Sequence, residues 1–345
     1  MVTPFLRPVL RGALAQIRHV APVRPGGARS EVAGVYAEVE REFGMLAPPV
    51  ALHAASPPVL AASWVMLRET LVAAGRVDRA TKEELAAAVS AANSCPYCAA
   101  VHGATWAALI GGGEPRHPAG GLRGHGGWRP AADAAAPFPA EQAPELVGVA
   151  VTFHYLNRMV SVFLQEDLVP AGAPAVVRRA VTAVLGRQLR RYARSAPEAG
   201  GSLDLLPSAA LPEDLAWAAG TPSIAGAFAR AAAVIDAAGA RSVPEPVRGL
   251  VRAELARWDG GAPGLGRGWL EEAVGGLPQE QRAAGRLALL TAKAAYRVDE
   301  GVVEEYRLGQ PGDAGLVELT AWAALTAARE VGSRLGGARA PSGVS

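Results

Sequence analysis

The sequence predicts an all-α protein, on three observations. Half of the residues are apolar with alanine foremost, while aromatics make up only 6%, a composition that suits helix interiors better than strands, which draw on β-branched and aromatic side chains. The 40 glycines and 27 prolines gather in discrete stretches, so they punctuate the chain instead of breaking every segment. Between those stretches apolar residues recur at three- and four-residue spacing, the period of an amphipathic helix. At 345 residues the chain can hold about two domains with a sizeable core.

Residues 1–30 read as an amphipathic arm. Leu6, Leu10, Leu14, Ile17 and Val20 recur at helical spacing, and Arg7, Arg11, Arg18, Arg24 and Arg29 precede the first acid, Glu31. The arginines interrupt the apolar run a secretory signal needs, so a cytoplasmic protein is expected, its arm docked on the protein itself or in an oligomer contact in preference to lying on a membrane surface. Helices are expected at 31–44 and 57–74, the latter with Pro58 in its first turn and Gly75 as its stop. A third spans 81–93, with Thr81 as N-cap, Glu84 as its capping-box partner, and Leu85, Ala88, Val89 and Ala92 as its apolar stripe. Pro96 marks a break, after which helix resumes over 98–109.

Residues 111–140 turn to Gly, Pro, Ala, Arg and His without periodicity and read as a flexible surface insertion. His117 and His125 within it read as exposed, unliganded histidines. Helices at 145–164 and 176–194 complete a first unit, 31–200. The segment 205–340 then reads as a degenerate second copy. A shift of 165 residues aligns Pro57 with Pro222 and Leu85 with Leu250, and beyond the insertion a shift of 139 aligns Thr152 with Thr291 and Arg158 with Arg297. The shifts differ by 26 residues, about the length of the insertion. This register sets Gly260 and Pro263 against Cys95 and Cys98, which makes the second copy chemically silent.

Charge excludes some partners. Lys plus Arg number 34 against 32 Asp plus Glu, a net charge of +2, with no basic block interleaved with aromatics, so nucleic acid is not expected to bind. The longest uncharged run, 85–113, is long enough for a bilayer but contains Asn93, Ser94, Pro96 and His102. Helices buried around a site explain it better than a membrane span.

The chemistry concentrates in one place. Both of the chain's cysteines lie in Ser94-Cys95-Pro96-Tyr97-Cys98, with His102 four residues beyond the second and Glu83 twelve before the first. A thiol of ordinary pKa is only a few per cent thiolate near neutrality, yet the thiolate is the nucleophile. A helix N-terminus beside the pair supplies partial positive charge, and His102 one turn beyond Cys98 can hydrogen-bond the sulfur or take its proton. Glu83 can orient His102, giving a Glu, His, Cys relay. A sulfenic acid formed on one cysteine is trapped by the other as a disulfide, which protects it from further oxidation. That is the logic of a peroxidase reset by an external dithiol.

Zinc is a rival. Cys95, Cys98 and His102 offer three ligands and Glu83 or His154 a fourth, but structural zinc sites bring a second Cys or His pair in tandem. Neither metal nor cofactor is expected. A redox switch or scaffold whose dithiol changes state without turnover is the alternative to an enzyme.

The stretch from Lys82 to His102, with its Glu, Val-Ser-Ala-Ala-Asn-Ser-Cys and His at these spacings, resembles the signature of the alkylhydroperoxidase D-like proteins of the carboxymuconolactone decarboxylase superfamily. Weaker likeness extends upstream to Pro57-Pro58-Val59-Leu60 and downstream to Phe153–Met159. The resemblance implies an all-helical, homo-oligomeric antioxidant enzyme of peroxiredoxin type that reduces alkyl hydroperoxides through a Cys95/Cys98 dithiol–disulfide cycle. It implies Cys98 as the peroxidatic and Cys95 as the resolving cysteine, Glu83 and His102 as the proton relay, and a lipoyl- or thioredoxin-type dithiol as reductant. One departure stands out: a second histidine often precedes the second cysteine in that pattern, and here the residue is Tyr97, a poor base at neutral pH. True carboxymuconolactone decarboxylases lack the cysteine pair, which disfavours lactone chemistry. Tyr97, His154 and Arg158 are further candidates for lining the site.

Overall fold

The computed structural model describes residues 13–111, 138–164, 172, 174–264 and 266–337. Among them the one extended pairing is the isolated bridge of Ile17 with Leu164, and the architecture is helical. Besides the single turn Pro48–Ala51 and short 3-10 turns, the helices are α1 (Ser30–Glu42), α2 (Pro57–Leu67), α3 (Arg79–Ala92), α4 (Pro96–Ile110), α5 (Ala143–Phe163), α6 (Ala175–Ala193), α7 (Pro222–Ser242), α8 (Glu245–Ala256), α9 (Gly268–Val274), α10 (Arg282–Ala294), α11 (Glu300–Gly309) and α12 (Asp313–Gly337). A π-helical turn over Arg68–Val72 extends α2. His117, His125, Leu6 and Leu10 lie outside the described residues.

Helix α5 is the axis of the fold. It packs against α3 on one side and α12 on the other. The segment Ala140–Phe163 is apolar and long enough to cross a membrane, as is Pro222–Ser242, but the first is 94% buried inside the protein and reads as a core helix. The arm docks as its apolar spacing predicts: Leu14, Ile17 and Val20 are buried, and Arg18 donates to the carbonyls of Val162 and Ser161 at the end of α5. Lys82 on α3 pairs with Glu145 on α5 at 2.9 Å, both buried, and Glu145 also accepts from the backbone N–H of Arg76 and Val77. These bonds hold the start of α3 in place, one residue from Glu83.

Two sequence expectations need correction. Thr81 is not an N-cap: Asp78 caps α3, accepting from the Thr81 N–H at 3.0 Å and from its hydroxyl at 2.7 Å, so Glu84 closes no capping box. Asp at this position satisfies an orphan N–H of the first turn as Thr would, and the helix starts a turn earlier.

The second correction concerns the repeat. Helix α2 lies against α7 and α5 against α12, and α3 packs on α5 as α10 packs on α12. This pattern equates α10, α11 and α12 with α3, α4 and α5, whereas the shift of 139 aligns α5 with α10. By this packing the α10–α11 turn takes the place of the α3–α4 turn, and no cysteine lies in it. In an alanine-rich chain several registers produce matches, and only packing separates them.

Candidate active site

The cysteines owe their position to the turn between α3 and α4. Ser94 adopts φ +54°, its N–H bonds to Ala91 at 3.1 Å, and the Cys95 N–H bonds to Ser90 at 2.9 Å. These paired bonds around a left-handed residue form a Schellman motif that ends α3. Cys95 then serves as N-cap of α4 with Pro96 in its first position, where the missing N–H costs nothing. Helix α4 therefore starts at Pro96, two residues earlier than the spacing predicts, and Cys98 sits in its first turn.

Both thiols are free and buried, Cys95 2% and Cys98 3% exposed. They share a proton unequally. A hydrogen bond from the Cys98 thiol pulls Cys95 below the usual thiol range against the opposing effect of burial, assisted by the Cys98 backbone N–H and the Asn157 amide. Cys98 is pushed well up by the same bond to Cys95, by burial and by the charge on Cys95. Cys95 is thus the more acidic thiol of the pair and Cys98 its hydrogen-bond donor.

Glu83, on α3, reaches His102, on α4. Its Oε2 lies 2.6 Å from the imidazole Nδ1, and Oε1 accepts from Arg79 Nε at 2.8 Å. Burial would raise the Glu83 carboxyl, but Arg79 and then His102 hold it below its ordinary value, so it is ionised and accepts. Nδ1 is then the protonated nitrogen, and Nε2 is left as the basic one. Phe153 packs edge-on to the imidazole with ring centroids 4.6 Å apart, which fixes the ring plane.

Tyr97 is buried, and burial, then the charges on Cys98 and Cys95, push its phenol further up. It remains a neutral phenol. His154 and Arg158 do not reach Glu83: Arg158 Nη1 donates to the His154 carbonyl at 2.7 Å and approaches its Nδ1 at 3.3 Å. Burial, then Arg158, lowers His154 to about 3, so it is neutral. Among the described residues no group of three or more His, Cys, Asp or Glu is disposed to hold a metal ion.

Two site residues escape the sequence reading. Asn157 Nδ2 donates to Ser90 Oγ at 3.0 Å, its Oδ1 accepts from Asn93 at 3.0 Å, and its amide acts on both sulfurs. Nothing in its spacing singles it out, because the contact is made across 59 residues and more of intervening chain. Arg79 was legible, being four residues before Glu83 on one helix face.

A cleft of about 120 Å³ opens at Asn93 and Ser94 of the turn that precedes the cysteines, and neither thiol lines it. One wall is the Schellman turn with Asn157 and Arg158, and the other comes from the second half, Trp258, Gly260, Gly261, Ala262 and 293–296. The ends of α3 and α10, equivalent in the two copies, face each other across it.

Comparison with known proteins agrees with this architecture. Residues 58–119 match the carboxymuconolactone decarboxylase family. The chain is 38% identical over 338 residues to the alkyl hydroperoxide reductase Rv2159c of Mycobacterium tuberculosis, covering 93% of this chain and 96% of that protein. No solved structure gives a significant match. With a relative of this identity along nearly its whole length, the chain belongs to the carboxymuconolactone decarboxylase family.

Proposed function

We propose that the protein is a thiol-dependent peroxidase that reduces organic hydroperoxides through the Cys95/Cys98 pair. The observation that carries this is the 2.6 Å contact between Glu83 and His102, which presents a basic Nε2 one helical turn from a proton-sharing dithiol. The name of the mycobacterial relative supports the hydroperoxide as substrate.

The reaction starts when the shared proton crosses from Cys98 to Cys95, putting the charge on Cys98. The Cys98 thiolate attacks the terminal oxygen of R–O–O–H, forming an S–O bond as the O–O bond breaks. His102 Nε2 takes the hydroxyl proton of the peroxide and delivers it to the leaving alkoxide, which departs as alcohol. Cys95 then gives its proton to the sulfenate and attacks the Cys98 sulfur, and the disulfide forms as hydroxide leaves. The two electrons that cleave the O–O bond come from the sulfur pair. An external dithiol, of lipoyl or thioredoxin type, restores them by exchange, in keeping with a reducing, cytoplasmic setting and a homo-oligomeric enzyme.

The test is mass spectrometry of the reduced protein after one equivalent of cumene hydroperoxide. Wild type is expected to lose two hydrogens as the disulfide, Cys95→Ser to hold a sulfenic acid on Cys98 trapped by dimedone, and Cys98→Ser to gain no sulfenic acid. A wild-type pair that stays reduced overturns the proposal. Oxidation without multiple turnover under any dithiol would instead identify a redox switch.

A further inference from the structure

Among the described residues, Arg158 is a cleft cation that no carboxylate neutralises. The residue is 7% exposed, Nε donates to the Ala292 carbonyl at 2.9 Å, and Nη1 donates to the His154 carbonyl at 2.7 Å. The guanidinium lies over the Trp258 ring at 5.7 Å. Among the described residues no carboxylate pairs with it, and Nη2 makes no protein hydrogen bond. The contrast with the neighbouring cation is clear: Lys293, which also lines the cleft, is neutralised by Glu254 at 3.0 Å. Burial without an anion pulls Arg158 down to about 10, so it is charged at neutral pH.

A buried cation without a counter-charge is costly, and two backbone carbonyls and an aromatic face hold this one rigidly at the wall of an open cleft. A guanidinium edge of that kind suits a planar carboxylate. Asn157, the adjacent residue, lines the same cleft and hydrogen-bonds to both sulfurs, so one residue separates an anion on Arg158 from the amide that contacts the dithiol, although neither thiol lines the cleft itself. The opposite wall, Trp258, Gly260, Gly261 and Tyr296, belongs to the second copy. The half without cysteines would thereby shape the substrate site.

We propose that Arg158 makes this cleft a carboxylate subsite and that the preferred substrate is a hydroperoxide carrying a carboxylate, an inference that rests on the peroxidase reading for its second part. The full-length protein is tested with 4-carboxycumene hydroperoxide and its methyl ester, following dithiol oxidation in a single turnover at pH 7.5. Wild type is expected to prefer the acid at least tenfold, Arg158→Lys to keep part of that preference and Arg158→Gln to bring the ratio near one. The ratio is internal to each protein, so loss of overall rate does not confuse it. Calorimetry with 4-isopropylbenzoate is expected to show binding to wild type and none to Arg158→Gln. Equal rates with acid and ester in wild type, together with no benzoate binding, overturn the proposal even if Arg158→Gln fails to fold. If no hydroperoxide oxidises the pair but 4-isopropylbenzoate binds through Arg158, the peroxidase reading falls and the carboxylate subsite stands.

Discussion

Glu83→Gln isolates the relay from the thiols. The carboxylate is buried and accepts from both Arg79 and His102, so the amide fits the same space with little change in packing. It changes the electrostatics twice. The negative charge that stabilises a protonated imidazole is lost, and the Gln amide can donate to Nδ1, which turns the ring over to the tautomer with hydrogen on Nε2. A hydrogen bond to a charged group is worth about 1.5–3 kcal/mol. At tenfold per ~1.36 kcal/mol, losing it when the imidazole carries the peroxide proton slows the reaction by about 10- to 150-fold. The assay is stopped-flow loss of thiols against cumene hydroperoxide under single-turnover conditions, with thermal melting to confirm the fold. A Glu83→Gln rate within twofold of wild type at pH 7.5 would refute the assignment of His102 as a carboxylate-oriented base.

Three further outcomes are expected. Alkylation by iodoacetamide across pH, resolved by tandem mass spectrometry, should label Cys95 with a midpoint below the ordinary thiol value and Cys98 only well above it, because the Cys98 thiol donates to Cys95; labelling of Cys98 first would reverse that order. Asn157→Ala should raise the Cys95 midpoint and cost about 1–3 kcal/mol of stability, since Ser90 and Asn93 lose their buried partner; an unchanged midpoint would remove Asn157 from the site. His53, held neutral with Nδ1 on the Val50 carbonyl at 3.0 Å and Nε2 on the Tyr155 hydroxyl at 2.9 Å, is lowered by burial to about 4. Its neutral form is the folded one, so its stabilisation is complete above the unfolded value near 6.5 and is lost as pH falls toward 4, at about 1.4 kcal/mol per pH unit. Because buried His154 is lowered too, unfolding free energies from urea titrations between pH 7 and 4.5 should fall more steeply in wild type than in His53→Gln by about that slope, and equal slopes would contradict it.

What could be read from the sequence follows how local each cause is. Glu83, His102 and the two cysteines fall within 20 residues, and helix spacing with one proline break is enough to bring them together. The fold class was legible for the same reason, since apolar period and punctuation are short-range properties. Asn157 was not, because its meaning depends on α5 crossing α3 at Ser90, a contact made by tertiary packing. The order of the thiol charges was hidden too: it turns on the Schellman turn at Ser94, which places Cys95 before the helix and Cys98 inside it. The register of the repeat was the least legible. Alanine at small-residue positions fits many registers, whereas the pairing of α5 with α12 favours one, and it sets the cysteine-free α10–α11 turn where the first copy has its sulfurs. A degenerate copy that had lost its chemistry need only have kept its packing face. That face closes the cleft opposite Arg158, so selection on the second half acts through the shape of the first half's site, and substitutions at Gly260 or Gly261 should alter substrate preference before they alter thiol reactivity.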